Sequence, residues 1–541
     1  MTAMTGGEAI VDGLRAHGVD TVFGLPGAQI YGLFDGFAKA KLKVIGARHE
    51  QACGYMAFGY ARATGRPGVF SVVPGPGVLN ASAAMLTAFG CNEPVLCLTG
   101  QVPSAFLGRG RGHLHEMPDQ LATLRSFLKW AERIEYPGAA PTLVSRAFQE
   151  MLSGRRGPAA LEMPWDVFMQ RAAVGASTAL PRFPAPLPDP DRVAAAAALI
   201  AASKTPMIFV GNGAFEAADE ILELAEAIDA PVVAFRSGRG IVSNAHELGL
   251  SFAAAYNLWP STDLIIGIGT RLELATMYRW PYRPAGQTSI RIDIDASEMR
   301  RFTPDAAIVA DAQAGTRDLL AAVRKGGYAK SSTRRGEIRE ASALAAQQIE
   351  IVQPQMAYLK ILREVLPAEA IVTDELCQVG FASWFGFPVY QPRTYLTSGY
   401  QGTLGSGFPT ALGAKVAYPD RPVVAITGDG GFMFAVQELA TAVQYNIGVV
   451  TLVFNNSAYG NVRRDQRSMF DGRVVASDLH NPDFVKLAES FGVGACRVRS
   501  PGEFRAALET ALGDGGPYLI AIEIEKDGEA SPWPFIHPPK P

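Results

Sequence analysis

Long apolar runs are missing from this chain, although 48 % of its 541 residues are hydrophobic and its mean hydropathy is +0.10. No uninterrupted apolar stretch reaches the roughly 18 residues that a bilayer-crossing helix needs, so no membrane partner is expected. An excess of basic charge is missing too. Lys and Arg total 49 against 52 Asp and Glu, a net charge of −3, so nucleic acid is not an expected partner. Arg109-Gly110-Arg111 is a local basic loop at most. Cysteine is sparse: Cys53, Cys91, Cys97, Cys377 and Cys496 form an odd set without Cys-x-x-Cys spacing. That pattern argues against a disulfide framework or a thiolate metal site and fits buried thiols in a reducing cytosol. The seven histidines show no zinc-type spacing, and His113 and His115 lack a third ligand nearby. Met1 to Val11 has no basic region followed by an apolar stretch. No secretory signal is read there, and a cytoplasmic location is expected.

What is present is a repeating alternation of short Val/Ile/Leu-rich runs with helical patterns, in three blocks. Pro181 to Pro190 is a stiff, extended connector, and Lys325 to Glu340, with its Gly-Gly, Ser-Ser and charges, reads as an exposed linker. In the first block Val44-Ile45, Val69 to Val73 and Val95 to Leu98 read as strands. The middle block offers Met207 to Val210, Val232-Val233, Leu264 to Ile268 and Ile290 to Ile294. The last offers Ala370 to Thr373, Val423 to Ile426, Val449 to Phe454 and Tyr518 to Ile524. Strands alternating with helices predict an α/β protein of three doubly wound parallel sheets.

The most informative local feature is Gly428-Asp429-Gly430 followed by Asn455-Asn456. Val436, Leu439, Ala440 and Val443 recur between them at helical spacing. Strand, tight turn, helix and strand occur in order, so Asp429 and Asn456 should converge beyond the carboxyl ends of neighbouring strands. A carboxylate and an amide oxygen there suit Mg²⁺, which takes about six oxygen ligands and usually keeps phosphate and water among them. The backbone carbonyl of Ala458 is a third candidate ligand. Gly430 and Gly431 leave free N–H groups suited to phosphate oxygens.

This spacing resembles the metal–diphosphate motif of thiamine diphosphate-dependent enzymes, and nearly the whole chain resembles the acetolactate synthase, benzoylformate decarboxylase and benzaldehyde lyase group. The resemblance implies a pyrimidine-binding domain over 1–170, a middle domain over 190–325 and a diphosphate-binding domain over 350–530, with a Pro-rich tail at 531–541. It makes Glu50, in Arg48-His49-Glu50, the contact to N1′ of the cofactor's pyrimidine ring. A carboxyl at that place favours the imino form of the 4′-amino group, which then removes the C2 proton of the thiazolium. In Gly402-Thr403-Leu404-Gly405-Ser406-Gly407, Leu404 becomes the aliphatic wedge that bends the cofactor, with Gly402 bonding the pyrimidine edge. Pro74, Gly428, Asp429, Gly430, Gly431, Asn456, Ala458, Tyr459 and Gly460 complete the expected cofactor contacts. The metal ligands would be Asp429, Asn456 and Ala458.

The family also implies a homodimer or homotetramer, with Glu50 of one chain serving the metal site of another. Expected substrates are 2-oxo acids such as pyruvate, or aldehydes. His115, Gln101 and Gln29 are the candidate polar groups of the substrate pocket. A packed or surface histidine is the competing account of His115. Two departures stand out. The biosynthetic synthase carries a tryptophan after Asn456, where this chain reads Gly460-Asn461-Val462-Arg463-Arg464-Asp465. The flavin-dependent members carry an aromatic and paired aspartates where this chain reads Thr270-Arg271-Leu272-Glu273-Leu274. FAD is therefore the less favoured addition to thiamine diphosphate and Mg²⁺. A lyase or decarboxylase on aromatic acyloins and acids, or a pyruvate oxidase-like enzyme, remains the alternative.

Overall fold

Each of the three blocks builds one six-stranded parallel sheet with helices on its faces. A computed structural model describes residues 1–276 and 279–540; the last position of the expected tail, Pro541, lies outside the described residues. The first sheet runs Lys43–Gly46, Thr21–Gly24, Gly68–Val72, Val95–Gln101, Ala159–Pro164, Trp130–Arg133 from edge to edge. The last runs Tyr395–Leu396, Ile371–Thr373, Val423–Gly428, Val450–Asn455, Tyr518–Glu523, Gly494–Val498. Numbered along the chain within each block, both have the order 2-1-3-4-6-5. The middle sheet has the order 3-2-1-4-5-6, running from Gly249–Leu250 through Val232–Ala234, Pro206–Val210, Leu264–Ile268 and Thr288–Asp293 to Ala306–Val309.

Topology places the clefts. Strand order reverses between Ile371–Thr373 and Val423–Gly428 in the last sheet, and ligands bind at such switch points beyond the carboxyl ends. Residues 374–378 and 428–431 therefore pack together at that crevice, Gly428 against Cys377 and Gly431 against Glu375. The central strands are buried on both faces, every residue of Val423–Gly428 included, which is why they read as continuous apolar runs rather than alternating ones.

The first and last blocks share one core. Helix Glu50–Thr64 crosses helix Gly407–Ala417, and both are buried nearly all round. A Cβ on Gly413 would lie 1.9 Å from the Met56 carbonyl oxygen, and one on Gly59 2.0 Å from that of Thr410. Only glycine permits so close a crossing.

Differences from the sequence expectation lie mostly in short elements. Thr21–Gly24, Trp130–Arg133, Gly249–Leu250, Ala306–Val309, Tyr395–Leu396 and Gly494–Val498 are additional strands of six residues or fewer. Ala159–Pro164 is a central strand hidden from the hydropathy pattern by Glu162, fully buried and bonded to Arg133 and Gln120. The stretch read as an exposed linker turns helical at Arg334, whose buried guanidinium reaches the Pro206 carbonyl. A 3₁₀ turn at Val436–Glu438 shifts the next helix, so Val443 is exposed while Glu438, Leu439, Thr441 and Ala442 face inward. The tail residues Trp533 and Phe535 pack on Phe381 and Phe385. Among the described residues no helix is long and apolar enough to cross a membrane.

Candidate active site

The tips of Val423–Gly428 and Val450–Asn455 meet at a single N–H group. Ser457 takes a left-handed backbone conformation, uncommon for a residue with a side chain. That turn sends the Ala458 N–H back toward both tips, donating to Asn456 Oδ1 at 3.1 Å and Asp429 Oδ2 at 3.3 Å. The two oxygens therefore lie side by side. Asn481 Nδ2 also donates to Asp429 Oδ2, at 2.7 Å, and to Asn455 Oδ1 at 2.9 Å. Asn456 Nδ2 donates to Glu529 Oε2 at 2.7 Å, which fixes the amide with its oxygen toward Asp429. Burial pushes the Asp429 carboxyl up, partly offset by the bonds from Asn481 and the backbone. Burial lifts Glu529 to about 7, and its bond from Asn456 opposes this. Neither Asn481 nor Glu529 was anticipated, because both come from loops far along the chain.

Space around these tips depends on glycine. A Cβ on Gly430 would lie 2.5 Å from the Tyr459 ring, and one on Gly460 2.7 Å from Asn456 Nδ2. Gly428 backs onto Cys377, whose thiol caps helix Gln378–Gly386 by accepting the Gly380 N–H.

Across the crevice the Gly402–Gly407 turn is held from below by a residue that sequence reasoning missed. Glu375 is 2 % exposed, and its Oε1 accepts the Gly405 N–H. A Cβ on Gly431 would lie 2.3 Å from that same oxygen, so this one carboxyl underlies both glycine turns. Among the described residues, Glu375 Oε2 and the buried Gln378 Oε1 have no hydrogen-bond partner. Burial drives the Glu375 carboxyl up to about 8, against the opposing Gly405 N–H. The signal that could have found it is an acidic pair, Asp374-Glu375, placed directly after an apolar strand. Gly402 is left-handed, with Leu376 Cδ1 3.3 Å from where its Cβ would stand. Leu404 is half-buried, and Thr403 touches Thr87 of the first block at 3.3 Å.

The first block contributes a second constellation. Gln29, 1 % exposed, donates to the Leu114 carbonyl at 2.7 Å, and its Oε1 lies 3.0 Å from His115 Nδ1. His115 is itself left-handed and lies over the Pro74-Gly75-Pro76 turn, its carbonyl 2.5 Å from where a Gly75 Cβ would stand. Gln29, Pro74 and His115 are thus brought together. Gln101 Oε1 turns back to its own segment, accepting the Val102 N–H at 2.8 Å. Gln120, which sequence reasoning passed over, ties the group together. It accepts the Gly75 N–H at 2.8 Å and donates to the Gly100 carbonyl and Glu162. Glu50 opens helix Glu50–Thr64 and is half-exposed; among the described residues its hydrogen-bond partner is Asn80, at 3.1 Å. It makes no hydrogen bond to the strand tips of its own chain.

The donor chemistry fits the groups expected there. One carboxylate, one amide oxygen and a nearby backbone carbonyl form an all-oxygen set for a hard cation that keeps phosphate and water. Among the described residues no cluster of three His, Cys, Asp or Glu offers a rival metal site. The switch point of the middle sheet also opens a cleft, of about 200 Å³, along Gly211-Asn212-Gly213 and Gly269-Thr270-Arg271. Its polar groups already join blocks: Asn212 bonds the Cys91 carbonyl and Arg62, and Arg271 bonds the Gly90 carbonyl. That volume falls below the roughly 300–1,000 Å³ usual for cofactor pockets.

Comparison with known proteins agrees with this layout. Family models match at residues 4–123 (thiamine pyrophosphate enzyme, N-terminal TPP binding domain), 193–319 (central domain) and 377–522 (C-terminal TPP binding domain). A probable acetolactate synthase large subunit of Methanocaldococcus jannaschii is 35 % identical, covering 99 % of this chain and 94 % of its own. A probable 2-ketoarginine decarboxylase, AruI, of Pseudomonas aeruginosa is 33 % identical over 96 % of this chain and 94 % of its own. The acetolactate synthase isozyme 1 large subunit of Escherichia coli is 29 % identical, with 99 % and 96 % covered.

Proposed function

The chain belongs to the thiamine pyrophosphate enzymes, in the group of acetolactate synthases and 2-oxo acid decarboxylases, and from that premise we propose a Mg²⁺-dependent carboligase or decarboxylase acting on 2-oxo acids such as pyruvate. The meeting of Asp429 and Asn456 at the Ala458 N–H carries this reading. Asp429, Asn456 and the Ala458 carbonyl hold the metal, and the backbone around Gly428 to Gly431 and Tyr459-Gly460 receives the diphosphate. Leu404 and Gly402 seat the pyrimidine half. Thiamine diphosphate, once bound, supplies the carbon nucleophile and the electron sink that C–C cleavage beside a carbonyl requires.

The protein's own work is positioning and proton handling. Glu50 holds a proton at the pyrimidine N1′. His115, oriented by Gln29, hydrogen-bonds the substrate carbonyl or carboxylate from above the Pro74 turn. Because Glu50 opens onto the surface beside Asn80 and the half-exposed Leu79, the site is read as shared between two copies, in a homodimer or a pair of them. The exposed Leu86, Met433 and Phe434 give such an interface apolar surface.

A second reading has its own observation. Asn461, Arg464 and Asp465 form a bonded polar cluster, joined by Trp533 Nε1 from the tail, on the stretch where the biosynthetic synthases carry a tryptophan. Such a wall favours a decarboxylase for a 2-oxo acid with a polar chain over ligation of two small apolar units. Product analysis with thiamine diphosphate, Mg²⁺ and a panel of 2-oxo acids tests both. Acetolactate and CO₂ from pyruvate support the first reading, and an aldehyde with CO₂ from a longer polar acid supports the second. No CO₂ from any acid of the panel would overturn both.

A further inference from the structure

The turn that carries Glu50 is held by the wrong block. Residues 46–49 link strand Lys43–Gly46 to helix Glu50–Thr64 in the first block, and that block offers the turn a 3.3 Å bond from the Ala47 N–H to the Gly24 carbonyl. His49 also caps the helix within the block, accepting the Gln51 N–H on its ring at 3.2 Å and the Ala52 N–H on its carbonyl at 3.1 Å. The grip on Gly46 and Arg48 comes from the last block, from residues 438–445, which follow the Gly428–Gly431 turn. Glu438, fully buried, accepts the Arg48 N–H with both oxygens at 3.1 Å. Tyr445 Oη accepts the Gly46 N–H at 2.9 Å, and Gln444 Oε1 accepts from Arg48 Nη2 at 2.9 Å. Thr441 donates to Glu438 Oε2 at 2.6 Å, locking the carboxylate in place.

A carboxylate is a costly group to bury completely, and burial pushes the Glu438 carboxyl up, against the opposing Thr441 and backbone bonds and the nearby Arg48 charge. Joining two blocks needs no charge; the neighbouring helix crossing does so with apolar surface and glycine. Carboxylate and phenol are spent instead on the N–H groups of Arg48 and Gly46, in the turn that leads into Glu50. Charge-assisted bonds of this kind are short-range and directional. They fix the angle at which the chain enters helix Glu50–Thr64, and hence the direction of its first side chain.

We propose that Glu438 and Tyr445 are positioning residues for Glu50, holding the 46–49 turn so that the Glu50 carboxyl points out of its own chain toward the pyrimidine ring. This rests on the role assigned to Glu50 above. Misplacing a reacting group by about 1 Å costs on the order of 100-fold in rate, so the clamp acts on the proton step and not on cofactor capture by Asp429.

Two readouts test it on the full chain. In the protein without cofactor, amide hydrogen exchange at residues 46–50 should quicken in Glu438→Ala and Tyr445→Phe. It should stay near wild type in Glu438→Gln, whose amide oxygen still accepts the Arg48 N–H. With thiamine diphosphate and Mg²⁺, deuterium uptake at the cofactor C2 should fall about 100-fold in Glu438→Ala and about tenfold in Tyr445→Phe, while cofactor Kd stays within about threefold. Folded Glu438→Ala with wild-type C2 exchange overturns the proposal, and so does C2 exchange that falls only in step with lost folded protein. If Glu438→Ala does not fold, Tyr445→Phe decides by the same criteria. Glu50→Gln separates the two ideas. Wild-type C2 exchange in that variant sinks the reading of Glu50 itself, whereas lost exchange there beside normal exchange in the clamp variants sinks only the clamp.

Discussion

Replacing Glu375 by glutamine should make the protein less sensitive to alkali, in a window set by one buried carboxyl. Glu375 is held at about 8 by burial, against an ordinary value of 4.5. Its folded-state value is raised, so folding takes up a proton between those two limits. Stability is unaffected by this group below pH 4.5, falls as pH rises toward 8, and is level above. At ~1.4 kcal/mol per pKa unit, the full gap corresponds to roughly 3–5 kcal/mol. Glutamine keeps an oxygen for the Gly405 N–H and has no proton to lose. Urea unfolding of wild type and Glu375→Gln in parallel, from about pH 5 to about pH 9, isolates the effect, because every other group cancels in the difference. The mutant should gain on wild type steadily up to about pH 8 and no further above it. A difference that does not change with pH would refute the buried, neutral carboxyl and the packing inferred from it.

Other expectations follow from the same geometry. Asp429→Ala should abolish Mg²⁺-dependent retention of thiamine diphosphate in calorimetric titration; unchanged retention would remove the metal assignment. Glu50→Gln should lower turnover by at least about 100-fold with an unaltered circular dichroism spectrum, and normal turnover would contradict its role. Gly413→Ala places a methyl 1.9 Å from the Met56 carbonyl oxygen and should destabilise by about 1–3 kcal/mol or more. A melting temperature equal to wild type would show that the helix crossing is looser than described.

The parts of the fold legible in the chain were those with a fixed length or a continuous apolar run. Gly428-Asp429 and Asn455-Asn456 stood out because a strand, a helix and a second strand occupy a set span. The long central strands stood out because both their faces are buried. Edge strands such as Tyr395–Leu396 were illegible, being two residues long. Ala159–Pro164 was masked by Glu162, a buried acid whose partners lie elsewhere in the chain. The candidate site divides in the same way. Asp429 and Asn456 announce themselves by spacing. Glu375, Asn481, Gln120 and Glu438 act on backbone or side chains distant in sequence, and no local period reports such a bond. Val443 failed for a related reason: a single 3₁₀ turn rotates everything after it.

A mixed dimer gives the most direct test that two chains build each site. Chains carrying Glu50→Gln and Asp429→Ala, produced together with different tags and isolated as the heterodimer, contain one site with both residues intact if Glu50 serves its neighbour. Such a heterodimer should recover about half the wild-type activity, although each parent homodimer is inactive. A heterodimer as inactive as its parents would contradict the account.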